Sequence, residues 1–458
     1  MAGRYDAIVI GTGQAGPFLA ARLSAAGQRV AIVERGLFGG TCVNTGCIPT
    51  KTLVASAAAA EAVRRASQYG VTAAPPKVDM KAVKARKDAI SEKSREGVEK
   101  LVRDLANGAV YTGHARFESP REVRVGDEIL TAEKIFINVG GRASVRGIEG
   151  SEDTPYWTNS SMMGVDFLPE HLVVVGGSYV GLEFAQMYRR FGAKVTVVEM
   201  ADRLIAREDP DVSAQIRSIL ENEGIAIRTG AKCIAVRKGP SGGVRIRVDC
   251  EEGSPEVDGS HLLLAVGRRP NTDDLGLERA GVAVDARGYI QVDDQLRTST
   301  AGIWALGDCN GKGAFTHTSY NDFEIVAANL LDGDARKVSD RIETYGLFVD
   351  PPLGRAGMTQ TSAATAGRKI LVGQRHMARV GRAIEKGETQ GLMKIVVDAD
   401  SKMILGAAIL GVGGDEVVHA VLDVMYARAP YTVLQRAMHI HPTVAEYLPT
   451  ILGELKAP

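Results

Sequence analysis

Apolar residues in this chain come in short runs, and two of these runs end in glycine-rich turns followed by the same succession of elements. In the first, residues 7–10 (AIVI) lead directly into Gly11, Gly13 and Gly16. The pattern predicts a helix to about residue 26 and then an apolar strand that ends at Glu34. Strand, glycine turn, helix and strand in this order are typical of a dinucleotide-binding unit.

A second unit repeats this pattern between residues 170 and 200. Gly176, Ser178 and Gly181 occupy the glycine positions, and Glu199 lies 23 residues after the first of them, the same separation as in the first unit. In such units the glycines let the backbone approach the pyrophosphate, and the acid accepts hydrogen bonds from ribose hydroxyls. Two ordinary βαβ turns with chance glycines are the alternative. Because pattern and context agree in both units, we expect two nucleotide sites.

The acid of the second unit bears on the choice of cofactor. A carboxylate at Glu199 accepts a hydrogen bond from a ribose 2′-hydroxyl and repels a 2′-phosphate, which favours NADH over NADPH. Arg203 and Arg207 follow closely in the sequence and argue in the opposite direction. Ser178 departs from glycine at the second position of the motif, but serine is small and can donate a hydrogen bond.

Helical patterns dominate the stretch after the first unit. Residues 52–68 (TLVASAAAAEAVRRASQ) predict one helix, and the prolines at 75–76 break the chain behind it. A charged helix, mostly solvated, is expected from about Val78 to Asn107.

Three further apolar runs predict buried strands. KIFINVGG and HLLLAVG lead into turns at Gly140 and Gly267, and GIWALGD is the third. The architecture then changes. From about residue 341, alternating apolar runs with a turn near Ser401 predict an antiparallel sheet with helices beside it.

Composition excludes some classes of function. The chain has 458 residues, 45% of them hydrophobic, and its 55 basic and 55 acidic side chains cancel. Net charge therefore attracts neither nucleic acid nor an anionic membrane, and we expect neither as a partner. No secretory signal and no apolar run of about 20 residues is visible, so we expect a cytoplasmic protein.

The five cysteines suggest redox or metal chemistry. An odd number in a long chain argues against a secreted disulfide framework, whereas the close pair in GGTCVNTGCIPTK, Cys42 and Cys47, is typical of a catalytic or metal-binding site. Structural zinc needs four ligands, and no second cysteine pair is visible. Cys233, Cys250 and Cys309 are isolated and are expected to be buried or idle thiols.

Local geometry sets a condition on the cysteine pair. Residues five apart in a regular helix are separated by about 7.5 Å of rise, beyond the ~4.4–6.8 Å between the Cα atoms of a disulfide. The chain must therefore be distorted between the two cysteines, and Asn44 and Gly46 tolerate such conformations. A helix beginning near Pro49, with Lys51 close by, would lower the thiol pKa.

The succession of two glycine motifs, GGTCVNTGCIPTK, LLAVGRRPN, GIWALGDC and HPTVAE resembles the class I flavoprotein disulfide reductases over essentially the whole chain. This family includes dihydrolipoamide dehydrogenase, glutathione reductase, mercuric reductase and the bacterial hypothiocyanous-acid reductases. The resemblance implies an α/β fold with two Rossmann-like dinucleotide-binding domains and a C-terminal α+β dimerisation domain. FAD would occupy the first site and NAD(P)H the second. The implied borders are 1–150 and 272–340 for the FAD domain, 151–271 for the NAD(P) domain and 341–458 for the interface of a homodimer.

Residue roles also follow from the resemblance. Cys47 would lie next to the flavin, Cys42 would attack the substrate, and the two would form the redox-active disulfide. His441 and Glu446 would form a proton-exchanging dyad that serves the cysteines of the other subunit. Lys51 would pair with Glu183 near the flavin. The implied FAD ligands are Gly11, Gly13, Gly16, Glu34, Gly40, Thr41, Lys51, Gly140 and Asp308, and the implied NAD(P)H ligands are Gly176, Ser178, Gly181, Glu199 and Gly267.

The sequence does not select a single electron acceptor. Mercuric reductases typically add a C-terminal cysteine pair, whereas the last cysteine here is Cys309. Thr50 in GCIPTKTLV resembles the hypothiocyanous-acid and mercuric reductase branch, since dihydrolipoamide dehydrogenases usually have serine there. We expect an NAD(P)H-dependent reductase of a small disulfide, an oxidised sulfur species or a soft metal ion. The alternatives are a dihydrolipoamide dehydrogenase that reduces NAD and a flavin-bearing redox sensor with little turnover.

Overall fold

The computed structural model describes residues 3–145, 147–231, 234–239, 242–249 and 254–458, so that Cys233 and Cys250 lie outside the described residues. The strands are, in chain order, β1 (Gly3–Ile10), β2 (Val30–Glu34), β3 (Gly108–Thr112), β4 (Ala115–Ser119), β5 (Glu122–Val125), β6 (Glu128–Ile137), β7 (Gly141–Ala143), β8 (His171–Val175), β9 (Lys194–Val198), β10 (Ala226–Arg228), β11 (Ile234–Lys238), β12 (Val244–Val248), β13 (Glu256–Gly259), β14 (His261–Leu264), β15 (Arg268–Pro270), β16 (Ile303–Ala305), β17 (Thr344–Leu347), β18 (Leu353–Gly357), β19 (Ile370–His376), β20 (Leu392–Asp398) and β21 (Ile404–Leu410). The α-helices are α1 (Gly16–Ala25), α2 (Gly40–Asn44), α3 (Cys47–Arg65), α4 (Met80–Arg103), α5 (Asn159–Met162), α6 (Tyr179–Phe191), α7 (Pro210–Asn222), α8 (Thr316–Ala327), α9 (Gln360–Thr365), α10 (Gly381–Glu385), α11 (Gly414–Tyr426), α12 (Thr432–Gln435) and α13 (Tyr447–Gly453).

The first glycine motif lies in a sheet of order β3–β2–β1–β6–β5–β4, with β16 beside β6. β1, β2, β3, β6 and β16 run parallel, whereas β4 and β5 continue the sheet as an antiparallel meander. One face packs around Leu19 and Phe136, and the other around Ile8 and Phe117. Parallel strands covered on both faces need unbroken apolar sequence, which explains the run at residues 7–10.

The second glycine motif lies in a parallel sheet of order β10–β9–β8–β14. β8, α6 and β9 give the predicted succession of strand, glycine turn, helix and strand. An antiparallel sheet, β11–β12–β13, follows in the same part of the chain. The Rossmann-like pattern is therefore present twice, as the spacing of the glycines and acids predicted.

The C-terminal part is the predicted antiparallel sheet, with the order β17–β18–β21–β20–β19. β20 and β21 pair around the turn near Ser401, with Met393 opposite Ile409. Helix α11 lies against β18 so closely that a Cβ on Gly354 would be 2.3 Å from the carbonyl oxygen of Gly414. This close approach fixes the helix on the sheet.

Polar contacts join these parts of the chain. β7 and β15 form an antiparallel ladder where the chain enters and leaves the second unit. The buried Glu208 of the second unit accepts hydrogen bonds from Arg355 on β18 and from the hydroxyl of Tyr345 on β17. The predicted domain borders at 150, 271 and 340 stay predictions.

Two helix boundaries differ from the sequence expectation. The helix expected near Pro49 begins at Cys47, because Gly46 already ends the distortion between the cysteines. The charged helix runs over Met80–Arg103, shorter at both ends than expected. Its start is set by Asp79, whose carboxylate accepts hydrogen bonds from the backbone N–H groups of Lys81 and Ala82.

Candidate active site

A cavity of about 1070 Å³ lies beside the first glycine motif and reaches the C-terminal sheet. Most of the residues expected at the FAD and redox sites line it, namely Gly11, Gly13, Glu34, Gly40, Thr41, Cys42, Cys47, Lys51, Gly140, Glu183 and Asp308. Tertiary folding thus brings together residues that are almost 300 positions apart in the sequence.

The first glycine motif has no room for side chains. Gly11 has a φ of +102°, and a Cβ there would lie 2.4 Å from the carbonyl oxygen of Asn138. A Cβ on Gly16 would lie 2.2 Å from the carbonyl oxygen of Gly11, so Gly16 packs the turn although it does not line the cavity. The Asn138 amide donates to the Gly13 carbonyl over 3.1 Å. Asn138 therefore holds the turn, and sequence reasoning missed it.

Backbone and hydroxyl donors orient Glu34 at the end of β2. One oxygen accepts from the Thr12 N–H at 3.0 Å and the Thr12 hydroxyl at 2.5 Å, and the other accepts from the Gly36 N–H at 2.8 Å. Each carboxylate oxygen has two lone pairs, so acceptor capacity remains for a ribose. The cavity volume, the glycine turn and this oriented acid fit an adenine dinucleotide such as FAD.

Asp308 also lines the cavity, in a turn that the buried Asp322 supports. The Asp308 carboxylate is 3.3 Å from Arg268 Nη2, which also donates to the Gly141 carbonyl at 2.6 Å. The preceding Gly307 N–H donates to Asp322 Oδ2 over 2.8 Å. Burial raises the pKa of Asp322, while its ion pair with Arg341 opposes that rise. No sequence motif indicated Asp322, which is an ordinary acidic residue within α8.

The two cysteines lie on either side of the break between α2 and α3. Gly46 fits there because a Cβ would lie 2.8 Å from the carbonyl oxygen of Thr41. Asn44 is helical, contrary to its expected role in the distortion, and its amide instead donates to the carbonyls of Phe38 at 2.8 Å and Gly40 at 2.9 Å. These bonds tie the end of α2 to its first residue and to the turn before it.

The two thiols of the reduced pair differ strongly in acidity. A hydrogen bond from Cys42 lowers the pKa of Cys47 to about 6, and Thr316 and Lys51 contribute in the same direction against the effect of burial. The same hydrogen bond and burial raise the pKa of Cys42. Cys47 is therefore the thiolate of the pair at neutral pH, and Cys42 retains its proton.

Lys51 and Glu183 lie in contact, as the resemblance implied. Lys51 Nζ is 2.7 Å from Glu183 Oε2 and 4.5 Å from the ring centroid of Phe348. The other oxygen of Glu183 accepts from the Phe348 N–H at 3.1 Å, and only 3% of this side chain is exposed. Their predicted roles beside the flavin stay predictions.

A smaller cavity of about 250 Å³ lies at the second glycine motif, lined among others by Gly176, Ser178, Glu199 and Gly267. Glu199 repeats the arrangement of Glu34, because its oxygens accept from the N–H groups of Gly177 at 2.5 Å and Ala201 at 2.7 Å.

Ser178, the departure from glycine, is exposed at the start of α6 and does not fill the turn. Gly181 packs that turn instead, since a Cβ there would lie 2.0 Å from the carbonyl oxygen of Gly176. Asn159, which no sequence motif indicated, lines both cavities and donates from its amide to the Thr45 carbonyl over 3.0 Å.

His441 and Glu446 form a hydrogen-bonded pair, with 2.9 Å between Nδ1 and Oε2. The histidine is 81% exposed, and neither residue is among the described residues that line the large cavity of their own chain. The neighbouring Met438 and Ile440 are 100% and 80% exposed. This segment therefore presents an acid–base pair and apolar side chains together at the surface.

Two sequence models match almost the whole chain. The model described as pyridine nucleotide-disulphide oxidoreductase matches residues 5–322, and the model of the dimerisation domain of the same family matches residues 344–451. The chain belongs to this family. The oxidoreductases of this family use FAD and NAD(P)H, and the dimerisation domain indicates a homodimer.

Individual relatives of the oxidoreductase cover nearly the full chain. The probable pyridine nucleotide-disulfide oxidoreductase RclA of Escherichia coli is 36% identical over 99% of this chain and 100% of its own. A mercuric reductase of Streptomyces lividans is 35% identical over 97% and 94%, and a dihydrolipoyl dehydrogenase of Thermus scotoductus is 34% identical over 97% and 96%. A solved structure of RclA, described as an HOCl-induced flavoprotein disulfide reductase, has a TM-score of 0.88 at 35% identity over 98% and 99% of the two chains.

These findings confirm the predicted family, the α/β fold with its dimerisation domain, and an FAD-dependent oxidoreductase of the disulfide reductase type. Cys309 is fully buried, as expected. Among the described residues, no group of three or more His, Cys, Asp or Glu side chains is arranged to hold a metal ion. Within the same described ranges, no helix has both the length and the hydropathy to cross a bilayer.

Proposed function

We propose that this oxidoreductase uses NADH to reduce a small electrophilic sulfur compound through Cys42 and Cys47. The observation that carries the proposal is the pair of unlike thiols in the large cavity, one with a pKa of about 6 and one with a raised pKa. When one sulfur of a dithiol attacks the substrate and the other closes the disulfide, the two thiols have different tasks, and different acidities suit them.

The chemistry assigns one task to each group. Bound FAD would supply the two-electron relay between the nicotinamide and the cysteine pair. Gly11, Gly13, Glu34 and Asp308 would hold it. Cys42, as a thiolate, attacks the substrate sulfur and displaces its leaving group, and Cys47 then attacks the Cys42 sulfur. This second attack releases the reduced sulfur product and forms the disulfide, so that two electrons leave the dithiol.

A base is needed because the pKa of Cys42 is raised. We assign it to His441, which would take the Cys42 proton and return it to the product. Glu446, at 2.9 Å, fixes the orientation of the ring. The exposed position of His441 on the dimerisation domain supports action on the cysteines of the other subunit, so that each site would be built from two chains.

Charge in the cavity favours a small, uncharged acceptor over an anionic disulfide such as glutathione disulfide. Every lysine and arginine among the described residues lining the large cavity is paired with a carboxylate: Arg35 with Asp274, Lys51 with Glu183, Arg268 with Asp308 and Arg341 with Asp322. Among the lining residues that the structure describes, an anionic substrate would therefore find no unpaired lysine or arginine to offset its lost solvation.

The second cavity supports NADH over NADPH. Glu199 lines it, whereas Arg203 and Arg207 do not. Arg203 donates to the Ala206 carbonyl over 3.1 Å, and Arg207 lies over the Tyr345 ring with 5.1 Å to the centroid. The two arginines that weakened the sequence argument thus have other partners, and a 2′-phosphate would face the Glu199 carboxylate.

The test is oxidation of NADH and of NADPH by the FAD-loaded enzyme with hypothiocyanous acid, lipoamide, glutathione disulfide and Hg(II) as acceptors. We expect the highest kcat/KM with NADH and hypothiocyanous acid, and loss of turnover in Cys42→Ser. A preference for glutathione disulfide would refute the charge argument, and a preference for lipoamide would favour a dihydrolipoamide dehydrogenase. Flavin that bleaches with NADH but reduces no acceptor would favour the sensor.

A further inference from the structure

One side chain that the sequence did not indicate as a site residue contacts the sulfur of Cys47. The hydroxyl oxygen of Thr316 lies 3.0 Å from Cys47 Sγ. A thiolate has no proton to donate, so in the reduced enzyme the hydroxyl is the donor and the sulfur is the acceptor. Hydrogen bonds to charged acceptors are about twice as strong as those between neutral groups.

We propose that Thr316 is a further catalytic residue, whose hydroxyl holds the charge on Cys47 by donating a hydrogen bond to its sulfur. The inference rests on the proposed function in that it gives Cys47 the thiolate role. Its physical content, a hydroxyl donor to one sulfur, is independent of the electron acceptor.

The backbone on both sides of Thr316 is held in place by hydrogen bonds. Thr316 is the first residue of α8, and the turn before it is closed by Thr318, whose hydroxyl accepts from the Phe315 N–H at 3.1 Å and donates to the Phe315 carbonyl at 2.7 Å. His317 Nε2 lies 2.8 Å from the Thr344 carbonyl oxygen. Donors that need no rearrangement are the ones that stabilise charge most effectively.

Aromatic packing fixes the same segment against the C-terminal sheet. The Phe315 ring lies parallel to the rings of His317 and Tyr345, with centroids 5.3 Å and 5.9 Å away. Tyr345 is in turn held by its hydrogen bond to the buried Glu208. A chain of ordered groups therefore leads from the buried ion pair of Glu208 and Arg355 to Thr316.

The direction of the electrostatic effect agrees with the geometry. The hydrogen bond with Thr316 lowers the pKa of Cys47, and a second contribution from the same hydroxyl lowers that of Cys42. Thr316 therefore acts on both sulfurs of the pair and most directly on the one it touches. Stabilising the thiolate also stabilises the reduced pair relative to the disulfide.

The experiment replaces Thr316 by valine, which has nearly the same shape but no hydroxyl, and by serine, which keeps the donor. FAD-loaded enzyme is reduced with a phosphine, so that no step depends on NADH or on the acceptor, and the excess is removed. The rate of alkylation of Cys47 by iodoacetamide is then followed against pH by mass spectrometry of the peptide. Thr112→Val, at the exposed end of β3, is the control.

We expect Thr316→Val to raise the midpoint of the alkylation profile by about one to two pH units, the range for losing a hydrogen bond to a charged group. Thr316→Ser and Thr112→Val should keep the wild-type midpoint, and the midpoint potential of the cysteine pair should fall in Thr316→Val alone. An unchanged profile and potential in Thr316→Val would overturn the proposal. If valine prevents folding, Thr316→Ala provides the same comparison.

Because reduction and alkylation bypass turnover, the result stands whichever acceptor the enzyme uses. A shifted profile in an enzyme that reduces no sulfur compound would leave the role of Thr316 intact and refute the proposed function. An unchanged alkylation profile in an enzyme that reduces sulfur compounds would refute the role of Thr316 and leave the proposed function intact.

Discussion

Lys51 Nζ donates a hydrogen bond of 2.7 Å to Glu183 Oε2, and this contact joins the helix that begins at Cys47 to the helix that begins at the second glycine motif. The two residues are 132 positions apart. The Glu183 side chain is buried and the Lys51 side chain is about one third exposed, and both charges act on the nearby Cys47.

The two members of this pair should act on Cys47 in opposite directions. Lys51 lowers the pKa of Cys47 and Glu183 raises it. We therefore expect Lys51→Met to raise, and Glu183→Gln to lower, the midpoint of the pH profile for alkylation of Cys47. Lys84→Met, which removes a surface partner of Asp88, is the control and should change nothing. Shifts of the same sign in both variants would contradict this assignment.

The stability of the reduced enzyme should depend on pH through both thiols. The pKa of Cys47 is lowered to about 6, so its contribution is complete above the roughly 8.5 of an unfolded thiol and is lost as the pH falls through about 6. The pKa of Cys42 is raised, so its contribution is present below about 8.5 and is lost as the pH rises towards its folded value.

We expect the Tm of the reduced enzyme, relative to the disulfide form, to be highest near about pH 8 and lower at about pH 5 and pH 10. Differential scanning calorimetry of both forms over this range measures it. A Tm difference that does not vary with pH would show that the thiols titrate normally in the folded protein.

His441→Ala should separate the two halves of the catalytic cycle. On the proposed assignment, reduction of the enzyme by NADH uses groups of one subunit, and we expect it to continue at a similar rate. The oxidative half-reaction should slow by about 10²–10⁴-fold, the usual effect of losing a positioned acid–base group. Stopped-flow measurement of each half-reaction distinguishes the two, and His439→Ala is a neighbouring control.

Mixed dimers test where His441 acts. A heterodimer of Cys42→Ser and His441→Ala subunits has one site with both lesions and one site with neither, provided that His441 acts across the interface. Such heterodimers should show about half of the wild-type activity. If mass spectrometry proves their formation and activity does not return, His441 works within its own chain or not at all.

Glu199→Gln should narrow the preference for NADH. The amide keeps an oxygen for only one of the two N–H groups that hold Glu199, and it loses the charge that repels a 2′-phosphate. We expect kcat/KM for NADH to fall on the order of tenfold, as for a weakened charged hydrogen bond, and the value for NADPH to rise. Glu34→Gln, the matched change in the first unit, should weaken retention of FAD and leave the NADH to NADPH ratio unchanged.

The buried ion pair between the second unit and the C-terminal sheet should contribute to stability. Glu208→Gln leaves Arg355, which is 2% exposed, without its charge partner. We expect the free energy of unfolding to fall by about 3–5 kcal/mol in urea denaturation. Asp332→Asn breaks an exposed pair with Arg22 and should cost less than about 1 kcal/mol. Equal losses of unfolding free energy in the two variants would refute the larger contribution assigned to the buried pair.

Local sequence was sufficient for the two nucleotide-binding patterns. The turns at Gly11 and Gly176 need glycine because a Cβ there would collide with neighbouring backbone. The apolar runs before these turns are needed because their strands are buried on both faces. Both requirements lie within about 30 residues. The antiparallel hairpin around Ser401 followed from its alternating pattern for the same reason.

The sequence by itself determined the family, the FAD-dependent chemistry and the cysteine pair, because each has a local signature of residue type and spacing. Only the tertiary structure decided which groups surround that pair. Thr316 lies 269 residues from Cys47, and Asn159 lies 114 residues from Thr45. A threonine or an asparagine has no signature in one sequence, and its partner is fixed by how strands and helices pack. The same packing pairs the cations of the cavity with carboxylates, and so the charge that a substrate meets is a property of the fold.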